Sequence, residues 1–173
     1  DNTAWSGREE PAKAPEQQAW SGTEDFGGAE GAAGLHDNWD DPDGYYRVML
    51  GEKLQQRYQI FAILGRGIFA TVVRARDLQQ NGREVAIKIA RRQETMYKAG
   101  RKEISILQRL SEADPDNKMF IVHFFTHFEH RGHLCMVFES LGLNLREIVK
   151  RFGKDVGLNL QAVKTYTKQM LLA

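Results

Sequence analysis

From residue 58 onward the apolar residues fall into clear rhythms, whereas the first 44 residues show no sustained period. Tyr58-Gln-Ile-Phe-Ala-Ile-Leu64 is dominated by β-branched and aromatic residues and is closed by glycine, which predicts a strand. Residues 71–77 form the returning strand, and Asn81-Gly82 supplies the positive-φ pair that a tight hairpin into strand 83–90 requires. Between 95 and 110 the period turns helical, with Tyr97, Gly100, Ile104, Leu107 and Leu110 on one stripe, and Asp114-Pro115-Asp116 breaks it. Two further strands are predicted over about 120–130 and 133–139, joined across Arg131-Gly132. A short helix follows over about 144–152, and a last one begins near Leu160 with Ala162, Val163, Tyr166 and Met170 needing something to pack on. Three strands, a helix, two strands and then helices predict an α+β fold, a five-stranded antiparallel sheet with one covering helix.

Charge divides the chain at the same place. Residues 1–44 carry a net −9 and residues 45–173 a net +10, giving +1 for all 173. The first segment is rich in Gly, Ala, Glu and Asp and cannot bury enough apolar surface to offset its ordering entropy, so a disordered acidic tail is predicted over 1–44. Solvation of this tail is the simpler reading, and folding back on the basic domain is the alternative. Ala4-Trp5-Ser6-Gly7 recurs as Ala19-Trp20-Ser21-Gly22, with a third tryptophan at Trp39, either as docking motifs or as low complexity. Residues 45–57 read as a lead-in and 58–173 as the folded domain. No apolar run is long enough to cross a bilayer, the N-terminus has no signal-peptide pattern, and a single cysteine, Cys135, excludes an intrachain disulfide. A soluble intracellular protein is expected.

The chemistry concentrates in two places. Leu64-Gly65-Arg66-Gly67-Ile68-Phe69-Ala70-Thr71-Val72 is a glycine-rich turn whose backbone could approach polyphosphate without Cβ clashes, although an ordinary β-turn uses the same residues. Ala70 stands where a third glycine is usual, and the strands on both sides argue against a dinucleotide fold, in which a helix would follow. On the next strand, alternation places Ala86, Lys88 and Ala90 on one face and Val85, Ile87 and Ile89 on the other. A lysine among alanines, if buried, needs an anion. Glu103, on the helix that must cover this sheet, is the candidate; an edge-strand lysine and a surface glutamate are the alternatives. Phe138-Glu139-Ser140-Leu141-Gly142 could offer backbone hydrogen bonds to an adenine edge, with Leu64, Val72, Ala86 and Leu141 around the ring, or be a plain loop. His123, His127, His130 and His133 with Cys135 do not converge in a hairpin, where His130 opposes His133 and His127 opposes Met136, so no metal site is expected. Arg146, Lys150, Arg151 and Lys154 read as a solvated helix face, and nucleic-acid binding is not expected.

These residues together resemble the small lobe of the eukaryotic protein kinases over about 58–173: the glycine-rich turn, Val85-Ala86-Ile87-Lys88, the helix glutamate and the Phe-Glu connection. His133-Leu-Cys-Met-Val-Phe-Glu139 with Asn144-Leu-Arg-Glu147 resembles the dual-specificity tyrosine-regulated branch. Asp40-Asp-Pro-Asp-Gly-Tyr-Tyr-Arg47, Val72-Val-Arg-Ala-Arg-Asp77 and Gly153-Lys-Asp-Val-Gly-Leu158 look like the pre-mRNA-processing factor four kinases. The resemblance implies a nuclear serine/threonine kinase that uses Mg-ATP and acts on spliceosomal proteins. It implies that Lys88 holds the α- and β-phosphates, Glu103 orients Lys88, and Gly65 and Gly67 cover the phosphates. Phe138 would be the gatekeeper, Glu139 and Leu141 would make hinge contacts, and Leu107 would join a hydrophobic column. No His-Arg-Asp occurs in the sequence, and its one Asp-Phe-Gly, Asp25-Phe26-Gly27, lies in the acidic segment ahead of the glycine-rich turn, where it cannot be the magnesium-binding motif of the family. The resemblance therefore puts the catalytic and magnesium-binding loops after Ala173, with only the first helices of the large lobe present. A chain of this extent alone is expected to be inactive, either as the front of a longer kinase or as a non-catalytic binding module.

Overall fold

The computed structural model describes residues 39–154 and 156–173, so the acidic segment 1–38, with its repeated Trp-Ser-Gly, lies outside the described residues. The strands are β1 (Lys53–Leu54), β2 (Tyr58–Arg66), β3 (Ala70–Asp77), β4 (Arg83–Ala90), β5 (Phe124–His130) and β6 (His133–Glu139). The helices are α1 (Glu94–Ala113), α2 (Leu145–Ile148), which continues as a π-helical turn over Val149–Gly153, and α3 (Leu160–Leu172). All strands pair antiparallel in the order β1-β2-β3-β4-β6-β5. The sheet thus has one strand more than the five expected. β1 escapes sequence reading because it is two residues long and its turn uses Gln55 and Gln56 at φ 50° and 55°, a conformation glutamine rarely adopts.

Strand alternation builds two cores. Val85, Ile87 and Ile89 of β4 join Tyr58, Ile60, Val73, Ala75, Cys135 and Val137 on one face. On the other, Ala90, Leu134, Met136 and Phe124 pack against Ile104 of α1, with Leu107 and Phe138 at the margin. Helix α1 lies close to β6 because residue 100 has no side chain. A Cβ there would stand 2.7 Å from Cδ2 of Leu134. Asp114 ends the helix by accepting from the backbone N–H groups of Lys118 at 2.8 Å and Met119 at 2.7 Å.

The hairpins form where glycine pairs predicted them. Asn81 and Gly82 take φ 52° and 74°, and Arg131 and Gly132 take 50° and 81°. His130 opposes His133 and His127 opposes Met136, the register read from the turn. The fifth strand begins at Phe124 rather than near 120. Phe120 at φ 56° interrupts the extended run, and pairing is further shifted between Phe124 and Thr126. The helix expected over 144–152 splits into a capped turn and a π-helical turn; Asn144 and Glu147 cap one another's backbone N–H groups at 2.9 Å. Helix α3 buries none of its residues, and Val163 and Met170 are exposed.

The boundary expected at residue 44 falls inside packed structure. Asp40 bridges to Tyr46, and the Asp41 carboxylate accepts from the N–H groups of Asp43 and Tyr45 at 3.0 and 2.9 Å. Gly44 O accepts from Arg92 N at 2.7 Å, which ties this turn to the end of β4. Tyr46 and Leu54 are buried members of the first core. Among the described residues no helix is long and apolar enough to cross a membrane.

Candidate nucleotide site

The glycine-rich turn is the connection between β2 and β3. Gly65 pairs with Val72 and Arg66 with Thr71, and Gly67 N donates to Ala70 O at 2.9 Å. Neither Gly65 nor Gly67 has a positive φ, and a Cβ on either would meet nothing closer than 3.9 Å. Nothing inside the protein therefore requires glycine at these positions. Ile68 and Phe69, at the tip, are exposed.

A cavity of about 770 Å³ opens beside this turn. Leu64, Val72 and Ala86 line it together with Leu141, Leu107, Val122 and Phe138, and Lys88, Glu103 and Glu139 add charge. Gly65 and Gly67, expected to cover phosphates, are not among its lining residues and stand on the turn at its border. Arg74, Leu143, Asn144 and Glu147 also contribute, and sequence reading had assigned none of them. Arg74 precedes Ala75 on β3 and donates from Nη2 to Leu141 O at 3.2 Å, while its buried Nε has no partner among the described residues. Its alternation with the buried residues Val73 and Ala75 was the available signal.

Lys88 sits at the centre of the sheet, opposite Val72 of β3 and Met136 of β6. Its Nζ donates to Glu103 Oε1 at 2.7 Å and Oε2 at 2.8 Å. The strand phase and the helix phase thus converge on one ion pair, and the edge-strand alternative for Lys88 falls away. The pair keeps 28% and 39% of its side-chain surface accessible, and it borders both the large cavity and a second one of about 240 Å³ lined by α1 and β4. An ammonium so placed can meet a second anion from the cavity without leaving its carboxylate.

The connection after β6 is held from the other side. Glu139 N donates to His123 O at 3.0 Å, and the Glu139 carboxylate accepts from His123 N at 2.8 Å. His133 is fully buried, with Nδ1 on Ala90 O at 2.8 Å and Nε2 on Asp40 Oδ1 at 2.6 Å. Both of its nitrogens face oxygen atoms. Burial raises the Cys135 thiol well above its ordinary range.

The protein kinase domain family matches residues 58–173. The chain is 53% identical over 141 residues to the serine/threonine-protein kinase prp4 of Schizosaccharomyces pombe, covering 82% of this chain and 29% of that protein. It is 45% identical over 141 residues to the serine/threonine-protein kinase prpf4B of Dictyostelium discoideum, covering 80% and 17%. It is 40% identical over 111 residues to the mouse dual specificity protein kinase CLK2, covering 64% and 22%. The chain spans less than a third of the length of each of these relatives.

Proposed function

The chain belongs to the protein kinase family, and on that premise we propose that its cavity binds ATP and that the full-length protein phosphorylates protein serine and threonine. The Lys88–Glu103 pair carries this reading, because it presents a fixed, partly open ammonium beside the apolar wall formed by Leu64, Val72 and Ala86. Lys88 holds α- and β-phosphate oxygens, and Glu103 fixes its amine in position. Leu64, Val72, Ala86 and Leu141 enclose the adenine, Phe138 limits its depth, and the backbone of Glu139 and Leu141 meets its polar edge. Gly65 and Gly67, which the protein's own packing does not require to be glycine, leave room for phosphate to approach the turn.

Magnesium accompanies ATP in this family and neutralises phosphate charge when bound. The residues described here provide no carboxylate set for it, since Glu103 is engaged with Lys88, Glu139 with His123 and Glu147 with the backbone of Asn144. No step involving the metal or a general base is therefore assigned to them. Substrates from the splicing machinery and a nuclear location are proposed from the likeness to prp4 and prpf4B.

The test compares ATP with adenosine, which lacks the phosphates, on the full-length protein and its Lys88→Met variant. Loss of a charge-assisted contact predicts ATP affinity about 10-fold to 100-fold weaker, with adenosine affinity unchanged. Equal affinity of both proteins for ATP overturns the reading. Phosphorylation of serine or threonine in a protein substrate by the full-length protein, lost with Lys88→Met, tests the activity itself.

A further inference from the structure

The turn that borders the cavity has little packing of its own, yet it is held from outside by residues that precede the family match. The Tyr45 hydroxyl lies 2.9 Å from Gly67 O and 3.2 Å from Ile68 O, donating to this pair of carbonyls at the tip of the turn. The Arg66 guanidinium stacks 3.7 Å from the centre of the Tyr45 ring and pairs with Asp41 at 2.6 Å. Arg91 covers the same ring at 4.5 Å, donates to Ile68 O at 3.2 Å, and donates twice to Asp43 O.

The anchor is firmer than what it holds. Tyr45 N and O are both fixed by Asp41, Gly44 O is fixed by Arg92 N, and the neighbouring Tyr46 is buried. At the tip, by contrast, the side chains of Ile68 and Phe69 lie exposed. A trans peptide points its C=O and N–H in opposite directions. Holding the Gly67 and Ile68 carbonyls on Tyr45 therefore turns the N–H groups of Ile68 and Phe69 away from it. Neither Tyr45 nor Asp41 lines the cavity. The strap thus sets both the position of the tip and the polarity of its backbone, which is what an anion beside the turn would sense.

We propose that Tyr45 is a positioning residue for the glycine-rich turn, and that residues 39–46 form an outside strap governing how tightly the turn closes over a nucleotide polyphosphate. The proposal rests on the ATP reading of the cavity for its ligand, but the coupling between strap and turn stands on the geometry alone. Tyr45 acts through the turn and does not touch the cavity, so its effect is confined to the phosphate end of the ligand.

Tyr45→Phe in the full-length protein removes the hydroxyl and keeps the ring between Arg66 and Arg91. Amide hydrogen exchange over residues 66–70 is expected to accelerate without ligand, while β4 and α1 stay protected. One net hydrogen bond corresponds to roughly 2-fold to 10-fold in affinity, so ATP should dissociate faster by about that factor, with adenosine binding unchanged. Asp41→Asn, which weakens the hold on Arg66, should move both readouts in the same direction and provides a second variant. Unchanged exchange at the turn in both variants overturns the proposal. So does an equal loss of ATP and adenosine affinity, which would mean general loosening. If the wild-type protein binds no ATP while Tyr45→Phe still frees the turn, the ATP reading fails and the positioning of the turn by Tyr45 stands.

Discussion

The Asp40 carboxylate lies 2.6 Å from Nε2 of His133, joining the first described residues to a ring that has no exposed surface. The other ring nitrogen lies 2.8 Å from Ala90 O, so the imidazole ties the leading segment to β4 as well as to its own strand. Removing the carboxylate leaves a buried ring nitrogen without its partner. Asp40→Ala is expected to lower unfolding free energy by about 1–3 kcal/mol in urea titrations. Asp40→Asn keeps a carbonyl acceptor and should lose less. An unchanged midpoint for the alanine variant would mean that water replaces Asp40 without cost.

Gly100 sets the distance between α1 and β6. Gly100→Leu forces side-chain atoms into the place of Leu134 Cδ2, and overpacking of this kind costs about 1–3 kcal/mol. Because Glu103 stands on the same helix less than one turn away, the shift should also loosen its grip on Lys88. Thermal melting and ATP titration of the one variant should therefore both decline. A lowered melting temperature with intact ATP affinity would separate the helix position from the ion pair.

The pH response of stability should carry the mark of Asp77. Its hydrogen bonds from Arg57, at 2.7 and 2.6 Å, hold the carboxyl below its ordinary value of 3.8. A depressed folded-state value means that this contribution is fully present above about pH 5 and disappears as pH falls through the folded-state value, below 3.8. Wild type should thus exceed Asp77→Asn in stability by a constant margin between pH 5 and 7, as an estimate from that linkage. The margin should shrink on acidification below about pH 4. Chemical denaturation across this range measures it, and a margin independent of pH would rule out the ion pair as its source.

Local rules made the centre of the site legible. Alternation alone put Lys88 on the face opposite Val85, Ile87 and Ile89, and helical phase put Glu103 on the covering side, so their meeting followed from two short-range periods. The β5–β6 register was likewise readable from Arg131-Gly132. What escaped reading depends on contacts distant in sequence. Tyr45 reaches Gly67, and Asp40 reaches His133, across a segment whose acidic composition resembles solvated chain. Arg74 was passed over because an arginine on a strand reads as surface, although Leu141 O fixes its head beside the cavity. Gly65 and Gly67 were tied to the turn, and they stand at the border of the cavity rather than in its lining, since residue type reveals permissiveness of the backbone and not which surface it forms.

The inner core has a practical consequence for handling the protein. The kinase-domain match begins at Tyr58, yet Tyr46 and Leu54 plug the layer formed by Ile60, Val73 and Ile87. A recombinant version trimmed to that apparent domain edge would bare this layer and promote self-association. A version that keeps this layer covered starts no later than Trp39, whose indole packs on the same core and shelters under Arg131.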